Sequence, residues 1–191
     1  MRILKVLIAC EYSGRVRDAF IAKGHDAMSC DLLPTDVPGP HYQGDVVDIL
    51  EDGWDMMIAF PPCTYLCNSG VRWLYSQELR WQKMIEGALF FRALLEYKKI
   101  PKRVLENPRM HKYAAAIIGS RADQFIHPWW FGHGETKATG LHLRGVKKLE
   151  PTNIVDGREA RIHRMSPGPN RGKDRGLTLP GIANAMGGAW G

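Results

Sequence analysis

A thiol and a carboxyl group stand at the ends of two apolar runs that predict buried parallel strands. Residues 54–60 lead into Pro61-Pro62-Cys63, and Val104-Leu105 leads into Glu106-Asn107-Pro108. In open α/β sheets, ligands and chemistry collect at the carboxyl ends of such strands. The two prolines fix the backbone before Cys63 and exclude a helix there. A thiol nucleophile near a carboxylic acid suits covalent chemistry on a ring that must be protonated as it is attacked.

Both side chains also have purely structural interpretations. Free cysteine often packs as a small buried hydrophobe, and Glu106 could pair with a cation or cap a helix. The residues that follow Cys63 are polar and typical of a loop, which favours a functional role for the thiol. The strand-end position of Glu106 favours a catalytic carboxylate over a structural one.

A second group of polar residues follows the first three predicted strands. A turn of small residues, 9–14, joins the first strand to a helix, Asp31 ends the second strand, and Asp45 belongs to the third. Such a turn lets a ligand approach a helix N-terminus, and an acidic residue after the second strand is placed to bind ribose hydroxyls. Each residue alone could be a turn former or a cap. Their succession at strand ends predicts the rim of a cofactor site.

The charge of the chain is concentrated in one segment. The 191 residues carry a net charge of +6, and 137–175 alone contain ten Lys or Arg against four acids. A basic segment of this kind suits a polyanionic partner, although a solvated surface is an equal alternative.

Several classes of protein are not expected from the composition. The four cysteines do not make a disulfide scaffold, and Cys63 and Cys67 lack partners at zinc-like spacing, so no metal site is expected. The apolar run near the N-terminus contains Lys5 and is too short for a signal peptide or a membrane helix. We therefore expect one reduced, cytoplasmic domain of a bacterium or a phage-infected cell.

Alternation of strand and helix patterns predicts an α/β fold with a doubly wound, mostly parallel sheet. Residues 147–176 are rich in Pro, Gly, Arg and Asn and predict a loop. The pattern predicts strands at 3–10, 25–31, 44–47, 54–60, 104–108, 124–131 and 139–143, and the last two are expected to be antiparallel. It predicts helices at 14–23, 76–97, 110–118 and 180–190.

Taken in order, these segments resemble the motifs of the cytosine-5 DNA methyltransferases. Pro61-Pro62-Cys63 resembles the nucleophile motif, Glu106-Asn107-Pro108 the Glu-Asn-Val motif, and 181–186, with Asn184, the last motif. The resemblance implies a Rossmann-like fold of the S-adenosylmethionine-dependent type over most of the chain. It also implies a cofactor site formed by Glu11, Tyr12, Ser13, Gly14, Asp31, Asp45, Pro61 and Asn184.

The same resemblance assigns the chemistry. It implies that the Cys63 thiolate adds to carbon 6 of a flipped cytosine while Glu106 protonates ring nitrogen 3. The family's Gln-x-Arg-x-Arg motif is absent, and Lys137, at the corresponding place, is expected to supply the cation. Only the basic segment 147–176 stands where the family carries a large target-recognition region, as in small phage-type enzymes.

We expect a monomer that binds double-stranded DNA and reads a short site of about one to three base pairs, since phosphate contacts carry no sequence information. Two alternatives remain open: a relative that transfers another group or acts on free pyrimidine nucleotides, and a non-catalytic DNA-binding or anti-restriction protein. Trp73, beside the loop expected to brace the flipped base, could instead belong to the core. The expected DNA contacts are Asn68, Ser69, Arg72, Arg158, Arg161, Arg164, Arg171 and Lys173.

Overall fold

The computed structural model describes residues 2–166, 168 and 171–191, and the side chains of His163 and Lys173 are not among the parts described. The strands are β1 Lys5–Ala9, β2 Asp26–Asp31, β3 His41–Gln43, β4 Met56–Ala59, β5 Lys102–Pro108, β6 Gln124–Ile126 and β7 Thr139–Arg144. The α-helices are α1 Arg15–Ile21, α2 Arg80–Leu95, α3 Lys112–Ile118, α4 Arg161–Arg164, α5 Arg171–Gly176 and α6 Pro180–Trp190. Short 3-10 helices span Val46–Ile49, Asn68–Tyr75 and Pro128–Trp130.

The strands form one sheet in the order β3-β2-β1-β4-β5-β7-β6. The first five strands of that order are parallel, and β7 runs antiparallel to both of its neighbours, β5 and β6. The predicted doubly wound, mostly parallel α/β sheet is confirmed, as is the antiparallel pairing of the two closing strands.

Helices cover both faces of the sheet, which explains why successive residues of the central strands β1 and β4 are apolar on both faces. Leu7 and Ala9 of β1 point to one face and pack in a core with α2 and α3. Val6 and Ile8 point to the other face and pack with α1 and α6. Full burial of each such large side chain contributes roughly 1.5–3 kcal/mol.

Most predicted boundaries agree with the structure to within two residues, and four segments differ by more. The third strand is His41–Gln43 rather than 44–47, because the Asp45 carboxylate caps the following 3-10 helix by accepting from the Val47 backbone N–H at 3.0 Å. The sixth strand ends at Ile126, and the helix predicted over 76–97 begins only at Arg80. The segment 147–176, predicted as a loop, contains the short helices α4 and α5. Glu135 supports α4 by accepting a hydrogen bond from the Ile162 backbone at 3.0 Å.

Candidate active site

The backbone after β4 folds into a single turn that places two thiols on the same side. The N–H groups of Leu66 and Cys67 donate to the Cys63 carbonyl at 3.0 and 3.1 Å. The Cys67 thiol donates a hydrogen bond to the Cys63 sulfur, and this bond is the main reason why the pKa of Cys63 lies below its ordinary value. The same bond raises the pKa of Cys67, whose proton is retained. Because the thiolate is the nucleophilic form of cysteine, the turn favours the more reactive state of Cys63.

Glu106 lies on β5, near the middle of the sheet. Burial raises the pKa of its carboxyl group, which favours the protonated form. The charge of Lys137 and a hydrogen bond from Thr139 act in the opposite direction and limit the rise. A proton donor is thereby held among apolar surroundings at the rim where Cys63 is presented.

Lys137 precedes β7 and acts on both groups. Its charge lowers the pKa of Cys63 and that of Glu106, so its ammonium lies within electrostatic reach of both. The Nζ atom donates to the Arg175 carbonyl at 2.7 Å, which fixes the half-buried side chain. The structure thus brings Cys63, Glu106 and Lys137, the three side chains predicted to be catalytic, into one cluster.

Backbone pairing ties the segment after Cys63 to the segment after Glu106. Cys67 and Met110 form an antiparallel bridge. On either side of it, the Asn68 N–H donates to the Arg109 carbonyl at 2.9 Å and the His111 N–H to the Leu66 carbonyl at 3.0 Å. The relative position of the thiol and the carboxyl group is therefore set by main-chain contacts rather than by flexible side chains.

A small cavity of about 30 Å³ lies over Glu106, Lys137 and Thr139. Ile162 and residues 176–179 form its roof. This volume holds about two water molecules, which is too little for a pyrimidine base. Arg15 donates to the Thr178 carbonyl at 2.8 Å and His133 accepts from the Gly181 N–H at 2.9 Å, so anchored contacts hold the roof down.

The turn after β1 forms a second polar site. Glu11 is buried, and burial raises the pKa of its carboxyl group. It accepts hydrogen bonds from the Ser13 hydroxyl and from the Gly14 N–H, the latter at 3.1 Å. Cys10 adopts a left-handed backbone conformation (φ 56°), as does Gly14 (φ 75°). Gly14 packs so closely on the helix that a Cβ atom there would lie 2.5 Å from the Arg17 guanidinium.

The second and third strands bring two carboxylates to this turn. The Glu11 N–H donates to the Cys30 carbonyl, and the Gly44 N–H to the Asp31 carbonyl, both at 3.0 Å. The pKa of Cys10 is raised to about 12, mainly by burial, then by the charge of Asp31 and more weakly by that of Asp45. Both carboxylates therefore lie near the turn. Residues from the ends of the first three strands thus lie near one another, and their role as the rim of a cofactor site stays a prediction.

The structure also places the remaining predicted site residues. Pro61 is buried, Tyr12 is half-buried, and Asn184 is exposed on α6. Trp73 is 39% exposed and stacks under Arg72 at 4.5 Å, so the alternative that it belongs to the core is wrong. Of the predicted DNA contacts, Asn68, Ser69, Arg72, Arg158, Arg161 and Arg164 are exposed, Arg171 is half-buried, and the Lys173 side chain lies outside the described residues.

Three side chains of the site were missed from the sequence. Cys67 was considered only as a metal ligand, although its spacing of four from Cys63 is the spacing of one helical turn. Thr139 contacts Glu106 across strands that are far apart in sequence, so no local signal marks it. Arg17 is fully buried on α1, where it donates to Ser29 and to the Pro38 carbonyl, although its type suggests an exposed position.

No protein-family model and no curated protein matches the sequence. Solved structures do match. One is a protein encoded within a prophage of E. coli and assigned as a DNA modification methyltransferase, with 14% identity, a TM-score of 0.50, and coverage of 81% of this chain and 53% of that one. The Entamoeba histolytica methyltransferase EhMeth gives 14% identity, a TM-score of 0.51 and coverage of 89% and 62%. The S. pombe Dnmt2 methyltransferase gives 13% identity, a TM-score of 0.50, and coverage of 87% of this chain and 55% of that one.

The chain has the Rossmann-like fold of these methyltransferases. It spans between 53% and 62% of their lengths. At such identities the likeness concerns the fold, and the chemistry must be argued from the side chains. Over the described residues, no helix is long and apolar enough to cross a membrane, and no group of three or more His, Cys, Asp or Glu is arranged to hold a metal ion.

Proposed function

We propose that the chain is an S-adenosylmethionine-dependent DNA cytosine-5 methyltransferase. The observation that carries the proposal is the cluster in which Cys63 has a lowered pKa and Glu106 a raised one, with Lys137 acting on both. Opposite shifts in two neighbouring titratable groups are typical of an assigned nucleophile and an assigned acid.

Cys63 serves as the nucleophile. Its thiolate sulfur forms a bond to carbon 6 of cytosine, and the ring electrons move toward nitrogen 3. The hydrogen bond from Cys67 stabilises the thiolate before attack. Later loss of the proton at carbon 5 restores the ring double bond and expels the thiolate, so Cys63 is regenerated.

Glu106 serves as the acid that makes the ring reactive. An unprotonated pyrimidine is a poor acceptor, and the raised pKa keeps a proton on the carboxyl group for transfer to nitrogen 3. Lys137 faces the same cavity and supplies a positive charge beside the ring oxygen.

The residues after β1, β2 and β3 fit the cofactor. A side chain at position 14 would collide with the Arg17 guanidinium, so the turn carries only the glycine hydrogen there. Asp31 stands at the strand end where a carboxylate can accept hydrogen bonds from ribose hydroxyls. Glu11, Tyr12, Ser13, Asp45, Pro61 and Asn184 complete the proposed set. When bound, S-adenosylmethionine supplies the methyl group that carbon 5 receives.

Target access requires two displacements. The cytosine must leave the DNA stack, which costs a few kcal/mol in a duplex. The roof formed by Ile162 and residues 176–179 must also open, because the cavity over Glu106 is only about 30 Å³. Asn68, Ser69 and Arg72 lie just after the Cys63 turn, where they can brace the vacated position. Arg158, Arg161, Arg164, Arg171 and Lys173 supply contacts to phosphate.

Product analysis tests the proposal directly. The protein is incubated with DNA and S-adenosylmethionine carrying a labelled methyl group, and the DNA is digested to nucleosides for mass spectrometry. We expect label in 5-methyldeoxycytidine and none with Cys63→Ser, because a serine hydroxyl without an adjacent base is a much weaker nucleophile. Label in another nucleoside, or only in free nucleotides offered in parallel, would contradict it.

A further inference from the structure

A groove of about 940 Å³ lies between the 3-10 helix Asn68–Tyr75 and α3. Its cations are Arg72, Arg109, Lys112 and Arg121, all exposed. None of the described residues that line it has a carboxylate. A concave surface with four cations and no lining acid attracts a polyanion.

Aromatic rings stand beside these cations. Tyr75 is 70% exposed and Phe125 is 38% exposed. Both line the groove with Tyr113, whose hydroxyl is 2.6 Å from that of Tyr75. Arg109 lies 5.2 Å from the centre of the Phe125 ring. Exposed rings alternating with cations are the usual means of binding the bases and phosphates of a single strand.

The floor of the groove contains a polar group with an unmet bond. Asn107 is only 2% exposed, and its amide nitrogen donates to the Pro108 carbonyl. Its oxygen, Oδ1, is buried with no hydrogen-bond partner. A buried acceptor without a partner costs about 1–3 kcal/mol. A ligand donor, such as a base amino group, would satisfy it.

The groove and the candidate active site are formed by neighbouring residues of the chain. Asn107 follows Glu106 directly, and Asn68, five residues after Cys63, donates to the Arg109 carbonyl. A strand that delivers its cytosine to Cys63 and Glu106 therefore has this groove as its neighbouring surface.

We propose that the groove binds an unpaired DNA strand that flanks the target cytosine. Stacking on the exposed rings of Tyr75 and Phe125 needs base faces that are not already stacked within a duplex, so an unpaired strand suits the groove better than a duplex does. The choice of DNA rather than RNA rests on the proposed function.

Fluorescence anisotropy with a labelled single-stranded DNA oligonucleotide tests the proposal without cofactor or turnover. Arg109→Ala/Arg121→Ala should flatten the log–log salt dependence of affinity by about 1.4, since each lost phosphate contact on a single strand contributes about 0.7. Phe125→Ala should weaken binding by about 5- to 150-fold through lost stacking. The control variant Lys23→Ala/Lys98→Ala removes the same charge from exposed positions that precede β2 and β5, at the amino ends of the strands. It should bind like the wild type.

A duplex and an RNA strand of the same sequence form the other arms. The proposal is overturned if the groove variants weaken duplex binding as much as single-strand binding, if RNA binds more tightly than DNA, or if the groove variants match the control. Circular dichroism confirms folding, and single variants replace the double variant if it does not fold. If the groove variants lose single-strand binding but no methyl transfer occurs, the proposed function fails and the groove stands.

Discussion

Replacing Glu106 by glutamine keeps the size of the side chain and removes its ionisable proton. If Glu106 is the acid, the rate constant kcat for methyl transfer should fall by about 10²–10⁴, the usual contribution of general acid–base catalysis. That fall corresponds to roughly 3–5 kcal/mol of activation free energy. The loss should appear at saturating cofactor, because Glu106 belongs to the base cavity rather than to the rim near Asp31.

The pH dependence of the wild type has a defined sign. Burial raises the pKa of Glu106, so activity is lost as pH rises through that value and the carboxyl group loses its proton. The Cys67 hydrogen bond lowers the pKa of Cys63, so activity is lost as pH falls and the thiolate is protonated. The profile should be bell-shaped, and Glu106→Gln should remove only its alkaline limb.

The same variant should be more stable than the wild type at neutral pH. Because the pKa of Glu106 is higher in the folded state, the folded chain binds more protons between the two values, and stability falls as pH rises through them. Glutamine removes this effect, so the melting temperature should rise at pH 7–8 as activity falls. Glu150→Gln, at an exposed position, is the control and should change neither. A rate loss below tenfold would show that Glu106 is structural.

The remaining predictions concern three other positions. Cys67→Ala should raise the pKa of Cys63, so the pH midpoint of Cys63 alkylation, followed by peptide mass spectrometry, should move upward. An unchanged midpoint would contradict the role of the hydrogen bond from the Cys67 thiol. Asp31→Ala should weaken S-adenosylmethionine binding by about 10- to 150-fold, the value of a hydrogen bond to a charged group, and unchanged calorimetric affinity would show the rim to be misassigned. Burial lowers the pKa of His142 to about 4, so the free energy of unfolding should fall by about 2–3 kcal/mol between pH 7 and pH 4, and His142→Gln should lack that dependence in denaturant titrations.

The sheet could be predicted because its strands carry strong local signals. β4 is apolar throughout, β1 is apolar after Lys5, and β5 has Val104 and Leu105 at its centre, and the turn chemistry that follows these strands is visible in the sequence. The third strand was misplaced because Asp45, a residue that suits both a strand end and a cap, caps the 3-10 helix Val46–Ile49. Sequence pattern does not separate these two roles.

The candidate site was predictable to the extent that strand ends converge. Cys63 follows β4 and Glu106 lies on β5. Because these two strands are adjacent, topology alone brings the two residues together. The roof formed by Ile162 and residues 176–179 was not foreseen, because it depends on contacts such as Lys137 to the Arg175 carbonyl, 38 residues away. The groove was missed for the same reason, since its lining joins the segment 68–75 to the segment 107–125, which lies more than 30 residues further along the chain.

Covalent trapping tests the central claim, that Cys63 attacks cytosine, most directly. The protein is mixed with S-adenosylmethionine and an oligonucleotide that contains 5-fluorodeoxycytidine, in which fluorine blocks the elimination that frees the thiolate. Intact-mass spectrometry should show the wild type bound to one methylated oligonucleotide, peptide mapping should assign the bond to Cys63, and Cys63→Ser should show no adduct. Methylation of normal DNA by the wild type without any adduct on the fluorinated oligonucleotide, or an adduct on Cys67 instead, would contradict the account.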